Sequence, residues 1–174
     1  MGQIPQKLVD YAVYKKGTNT LLGNADVTLP SFEAMTTETS GAGIMGSLEI
    51  PTPGQYASLT LALAWNTISA DAAAMMAAGV VELEIRGAQQ SFDSASQQII
   101  YEPLKIVFRG MGKAFESGTL TKNEGTGTST EMELLYYKKF VNNKEIFEVD
   151  KMNYTFKVNG VDQNEAIKKA LGFL

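Results

Sequence analysis

Val81-Glu82-Leu83-Glu84-Ile85-Arg86 alternates apolar and charged residues with a period of two, and that period decides the fold. Successive side chains of a β-strand point to opposite faces, so Val81, Leu83 and Ile85 belong to a core and Glu82, Glu84 and Arg86 to the other side. An α-helix would scatter the same residues round its circumference. The alternation returns on both sides of this stretch. Leu59, Leu61, Leu63 and Trp65 carry it upstream, and Leu104, Ile106 and Phe108 carry it downstream after Pro103. Residues 131–140, residues 146–150, and Met152, Tyr154, Phe156 and Val158 predict further strands. Near the N-terminus, Val9, Tyr11 and Val13 and then Ala25, Val27 and Leu29 flank the turn Lys16 to Asn19, which predicts a β-hairpin. The expected class is mainly β, an antiparallel sandwich or barrel-like fold.

Two helices interrupt it. The alanine-rich run from Asp71 to Ala78 predicts a short helix capped by Asp71 or Ser69 and stopped by Gly79. At the C-terminus, Asp162 and Glu165 form a variant of the capping box, with Val161 and Ala166 spaced as a hydrophobic staple. Ile167, Ala170, Leu171 and Leu174 then fall on one apolar stripe, and Lys168 and Lys169 sit where the helix dipole favours cations. This stripe is expected to dock on the apolar face of the sheet.

Gly41-Ala42-Gly43-Ile44-Met45-Gly46 spells G-x-G-x-x-G, but its surroundings contradict a dinucleotide site. Such a site needs a buried strand before the glycines and a helix after them. Here Met35-Thr36-Thr37-Glu38-Thr39-Ser40 is too polar for a central parallel strand, and Pro51 and Pro53 forbid a continuing helix. Residues 36–56 are therefore expected to be a long loop with a role in contact. A second flexible loop is expected at about 116–130, where Gly, Thr, Asn and Ser dominate.

The chain has 174 residues, which suits a single domain over 1–174 that buries roughly 70% of its unfolded surface. It contains no cysteine and no histidine. Disulfides, zinc ribbons, thiol catalysis and the Ser-His and Cys-His nucleophile pairs are excluded by composition. The net charge is -4, from 19 acidic and 15 basic residues, with no basic run beyond a Lys-Lys pair. Tight phosphate binding is not expected. No apolar run reaches the roughly 20 residues of a membrane span, and the N-terminus lacks the apolar core of a signal peptide. A cytoplasmic site of synthesis and folding is the expectation.

Other chemical motifs dissolve on inspection. Gly110-Met111-Gly112-Lys113-Ala114 resembles a P-loop, but Val107 stands at the required first glycine and Ala114 replaces the hydroxyl that would meet magnesium. Glu82 with Glu84, and Glu131 with Glu133, are carboxylate pairs on strand faces, and a solvated sheet face explains them better than acid-base work or calcium binding. Met75 and Met76 read as core filler. Tyr136 and Tyr137 point to opposite faces, so they do not form a stacking platform. A β-sandwich with unpaired edges is left, and unlike edges that pair between copies can close a ring.

Three segments, in this order and spacing, resemble one family. They are Gly23 to Pro30 (GNADVTLP), Gly41 to Pro51 (GAGIMGSLEIP), and Glu148 to Gly172, where EVDKMNYTFKVNGVD runs into the helix NEAIKKALG. Together they resemble the major tail tube protein of contractile-tailed phages, the FII group, over nearly the whole chain. The resemblance implies a tail tube fold and a structural subunit, not an enzyme, with no cofactor and no metal. It implies stacked hexameric rings forming the inner tube of a contractile tail, a conduit for DNA or the tape-measure protein. Partners would be further copies of the chain, the tail sheath, tape-measure, baseplate and tail terminator proteins, with DNA passing without specific binding and no membrane involved. The particle would be a virion tail or a bacteriocin, assembled in the host cytoplasm.

On this footing Gly41, Gly43, Ile44, Met45, Gly46 and Leu48 are the candidate contact between rings. Glu82, Glu84, Glu131 and Glu133 are the candidate lumen-facing acids, because a wall of the same sign as DNA lets the polymer slide. A tube of a tail-like bacteriocin, a non-contractile tail or a secretion system shares the architecture. A carbohydrate-binding sandwich would need a surface aromatic platform, and Trp65 lies in an apolar row. A carboxylate-based enzyme would need a clustered acid pair.

Overall fold

The stretch 81–86 opens a long strand in a computed structural model that describes residues 3–17, 19–23 and 25–173. That strand, β6 (Val81–Asp93), pairs on one side with β1 (Gln3–Lys15) and on the other with β7 (Gln98–Glu116), both antiparallel. β7 is 19 residues long and acts as the spine. Beyond it lies β8 (Thr128–Val141), which serves two neighbours in turn. Its first half pairs with β5 (Thr60–Trp65), which pairs with β2 (Ala25–Thr28). Its second half pairs with β9 (Lys144–Asp150), followed by β10 (Thr155–Val158) and the short β11 (Val161–Asp162). The branching at β8 folds the nine-stranded sheet into two layers round one core, the sandwich or barrel-like arrangement that alternation predicts.

Leu61 and Leu63 from one layer meet Leu83, Ile106 and Phe108 from the other, all fully buried. Trp65 is buried too, and its indole N–H donates to Thr130 Oγ1 at 3.2 Å. It offers no surface platform for a sugar. The helix α1 (Ala70–Ala74) seals one end, with Ser69 accepting from the Ala72 N–H at 3.1 Å as its N-cap and Met75 buried behind it. The glycines that mimic a P-loop explain this seal. A Cβ on Gly112 would stand 2.5 Å from the Met75 carbonyl oxygen, so only glycine lets α1 approach β7.

Two expectations fail here. The N-terminal hairpin does not form: β1 pairs with β6 and β2 with β5, and among the described residues a single Tyr14–Leu21 bridge is the backbone ladder between the two segments. Alternation specifies which face a residue takes but not which strand lies beside it. Tyr11 closes that seam instead, donating from its hydroxyl to Ala25 C=O at 3.0 Å and accepting from Val27 N–H at 3.2 Å. Residues 36–56 are likewise not a loop. They belong to a separate antiparallel pair, β3 (Ala34–Ser40) and β4 (Ser47–Tyr56). Threonine-rich polar segments still favour extended backbone, and a strand at a sheet edge tolerates proline. Between β7 and β8 residues 117–127 carry no strand or helix, a shorter segment than the loop expected at about 116–130, because β7 runs through Glu116 and β8 begins at Thr128.

Candidate assembly surface

The β3–β4 hairpin forms a sheet of its own, paired with no other strand among the described residues. Its root is firmly held. Phe32, just before it, packs edge-on against Tyr56, Tyr137 and Phe147 at ring separations of 5.5, 5.0 and 4.7 Å, which ties hairpin and sheet into one aromatic cluster. Nearer the free part, Gly54 adopts φ +75° against the buried Asn164 side chain. Above this root the register puts Thr37, Thr39, Leu48 and Ile50 on one face, with Leu48 55% and Ile50 50% exposed. The other face carries Glu38 directly opposite Glu49. Like charges so placed repel, and neither has an ion pair among the described residues.

The candidate contact residues lie at the hairpin tip. Gly41 C=O accepts from Ile44 N–H at 3.1 Å, and Gly43 and Gly46 take positive φ to turn the chain. Met45 at the apex is fully exposed, and Leu48 follows on β4. Sequence reading set these residues in a long loop; the structure instead carries them on the turn and second strand of a strand pair.

The candidate lumen acids share the sheet face opposite the core, but they are not a solvated acidic row. Glu84 is only 4% exposed, bridged by Arg86 on its own strand and by Lys105 at 3.1 Å. Burial alone would raise its carboxyl, yet the hydrogen bonds from Arg86 and Lys105 outweigh burial and hold it below the usual value. Glu82 pairs with Lys16 and faces Arg109 at 3.8 Å. Glu133 accepts from Ser58 and from the Leu59 N–H, with Lys151 at 3.6 Å, and its carboxyl is also lowered against the effect of burial. Glu131 alone among the four is exposed and has no ion pair among the described residues. Strand alternation correctly gives the face, but it cannot show that cations on neighbouring strands lie across it.

The network continues along that face. Glu148 takes Lys157 at 2.9 Å, Lys138 at 3.5 Å and the Tyr136 hydroxyl at 2.9 Å. Arg109 reaches Asp150 at 3.4 Å and covers the Tyr136 ring at 4.2 Å. Acid and base alternate from strand to strand, so the face is close to charge-compensated.

The C-terminal helix α2 (Glu165–Ala170) corrects the expected docking. Ile167, Ala170 and Leu171 are exposed, and Leu174 lies outside the described residues. Lys168 is the residue turned inward, donating to Asp162 at 2.7 Å and to Thr155 Oγ1 at 3.1 Å. Asp162 sits in β11 and accepts from the Asn164 N–H at 3.0 Å, so the helix starts two residues later than the expected capping box and turns its stripe outward. Tyr154 and Phe173 stack edge-on at 5.4 Å beside it.

Sequence reading missed one element altogether. β1, β6 and β7 run on past the body as a three-stranded ribbon, in which Ile4 faces Phe92 and Phe92 faces Ile99. Gln89, Gln90, Ser91, Gln97 and Gln98 hide the alternation there. Only the turn residues Asp93 to Ser96 between Phe92 and Ile99 signal a hairpin.

An unpartnered amphipathic hairpin, an open ribbon and an exposed apolar helix stripe are the surfaces of a self-associating subunit. The sequence comparisons give that class its family. A model of phage tail tube protein FII matches residues 5–172, and the chain belongs to that family. It is 27% identical to the tail tube protein of Escherichia phage P2, over 97% of this chain and 98% of that one. It is 25% identical to the major tail tube protein of Serratia phage KSP20, over 97% of each. The chain is thus a tail tube protein, a structural component of a phage tail.

Proposed function

We propose that this subunit closes into hexameric rings that stack into the inner tube of a contractile tail, through which DNA or the tape-measure protein passes. It is a scaffold rather than an enzyme, and the sheath, baseplate and tail terminator proteins are its partners in the particle. The observation that carries this reading is the β3–β4 hairpin, whose Leu48 and Ile50 are left half-exposed by the described residues of their own subunit. A lone two-stranded hairpin is marginal in water, so the surface calls for a neighbour. Residues 41–46 with Leu48 then make the contact between rings.

Glu82, Glu84, Glu131 and Glu133 face the lumen in this reading, set in the ionic face of the sheet. Interleaved carboxylates leave few bare cations there to hold a phosphate backbone, and a wall of paired charges lets a polyanion slide. Electron microscopy of the purified protein tests the reading: striated hollow rods or stacked rings are expected, and monodisperse monomers at high concentration would refute it. Replacing residues 41–46 by a tight Asn-Gly turn should leave a folded subunit that forms no long rods. Normal rods from that variant would remove the contact from the hairpin tip.

A further inference from the structure

Five apolar side chains form one surface where the hairpin root meets α2. Ile167 and Leu171 lie one turn apart on the outward stripe of the helix. Phe173 follows them, with its ring edge-on to Tyr154 at 5.4 Å. The backbone fixes that ring in place: Gly172 takes φ +74°, its N–H donates to Lys169 C=O at 3.1 Å, and Phe173 N–H donates to Lys168 C=O at 2.9 Å, a left-handed glycine cap. Met35 of β3 lines the same cavity as Tyr154 and Ile167, beside Pro53 and Tyr56 of the hairpin root. Each of the five is 38–59% exposed. One exposed leucine is ordinary on a folded surface, but a contiguous apolar set held in fixed positions marks a contact.

The hairpin tip matches this surface chemically. Residues 41–46 carry no charge, their three glycines leave Ile44 and Met45 as the bulky side chains, and Met45 is fully exposed. A thioether packs well against aromatic rings, which Tyr154 and Phe173 present. The charges bordering the surface are engaged within the subunit, Asp150 with Arg109, Lys151 with Glu133 and Lys169 with Glu165. The ribbon is a poorer seat. Its exposed Ile4, Ile99 and Tyr101 share their face with Lys7, whose ammonium a docked apolar tip would strip of water.

A chain does not seat its own tip there. The surface lies at the hairpin root, and β3 runs extended from Ala34 to Ser40, which sets the tip roughly 20 Å away at about 3.3 Å per residue. Each copy therefore gives a tip at one end of the hairpin and receives one at the other, a heterologous joint that repeats from copy to copy. We infer that the hairpin of one copy seats Met45, with Leu48 behind it, on the Tyr154, Ile167, Leu171 and Phe173 surface of a second copy. This deepens the tube reading by naming the surface that receives the hairpin, and it rests on that reading for a second copy as the occupant.

The chain has no cysteine, so introduced thiols report the joint directly. A Met45→Cys chain mixed with a Leu171→Cys chain should give a dimer with a short bis-maleimide, and one chain carrying both should give a ladder of multimers. A Met45→Cys chain mixed with an Ile4→Cys chain should give none. Charge supplies a second readout. Met45→Asp and Leu171→Lys should each lose rods in electron microscopy while keeping the parent's melting temperature, because both side chains are exposed, and the two together should regain rods. Rods without the crosslink between residues 45 and 171, a crosslink through residue 4 in its place, or charges that do not rescue one another overturn the joint and leave the tube. The ladder without rods supports the joint and overturns the tube. Neither ladder nor rods overturns both.

Discussion

Gly54→Ala tests how the hairpin is aimed. Gly54 has φ +75°, and an added Cβ would lie 2.5 Å from Asn164 Nδ2 and 3.0 Å from its Cγ. A side chain in this left-handed region costs about 1–2 kcal/mol. Asn164 cannot swing aside freely, because it is 5% exposed and its Nδ2 donates to Tyr154 C=O at 3.3 Å. Breaking that bond inside the protein costs a further 1–3 kcal/mol or so. The total is about 2–5 kcal/mol, which for a chain of this size lowers Tm by roughly 10 °C in differential scanning calorimetry. Asn164→Ala removes the obstacle, so the double variant should be more stable than the two separate losses imply, by about 1 kcal/mol or more. In the tube reading, rod formation by Gly54→Ala should fall further than its stability does. A Gly54→Ala chain melting within about 1 °C of the parent would refute the clasp, as would strict additivity with Asn164→Ala.

Three further outcomes follow from the packing and the charges. Phe32→Ala empties the centre of the aromatic cluster and should cost about 3–5 kcal/mol in urea unfolding, with Phe32→Leu recovering much of it. Glu148 is subject first to burial, which raises its carboxyl, but Lys157, Tyr136 and Lys138 outweigh this and its folded value lies below 4.5. Its stabilisation is therefore present above pH 4.5 and lost as pH falls through the folded value, so Glu148→Gln should flatten the acid limb of a melting-temperature profile. An acid limb identical to the parent's would show that this carboxylate is not held by its lysines. Lys168→Met cuts the tie from α2 to Asp162 and Thr155, and hydrogen exchange of the helix amides should rise while β6 and β7 keep their protection.

Period-two alternation reveals the strands that pack a core, such as Leu59 to Trp65 and Val81 to Arg86, because burial on one face imposes it. It fails where no face is buried within the subunit. Residues 34–56 and the ribbon ends of β1, β6 and β7 are strands whose partners are not core, so their composition follows contact and solubility rather than alternation. The same reason explains α2. Its apolar stripe is a true pattern, but the tie between Lys168 and Asp162 turns it outward, and sequence spacing carries no information about which side of a short helix faces the body. Of the acids, alternation identified the face while the cross-strand cations stayed hidden, since their neighbours come from distant parts of the chain.

The exposed hairpin raises the question of why such a subunit would not aggregate at once. Burying Met45 and Leu48 in a joint contributes about 1.5–3 kcal/mol each. Against this stands the ordering of exposed tip backbone from Gly41 to Gly46, at about 1–2 kcal/mol per residue fixed. A single docked hairpin is therefore weak on balance, and the repulsion between Glu38 and Glu49 makes it weaker. In the proposed tube each subunit would both give a hairpin and receive one, and the later contacts would form between surfaces already held in place. Association then depends steeply on concentration and on a starting template. In the proposed tube the glycines at the tip would serve assembly by letting the hairpin turn, since Gly41, Gly43 and Gly46 all take positive φ.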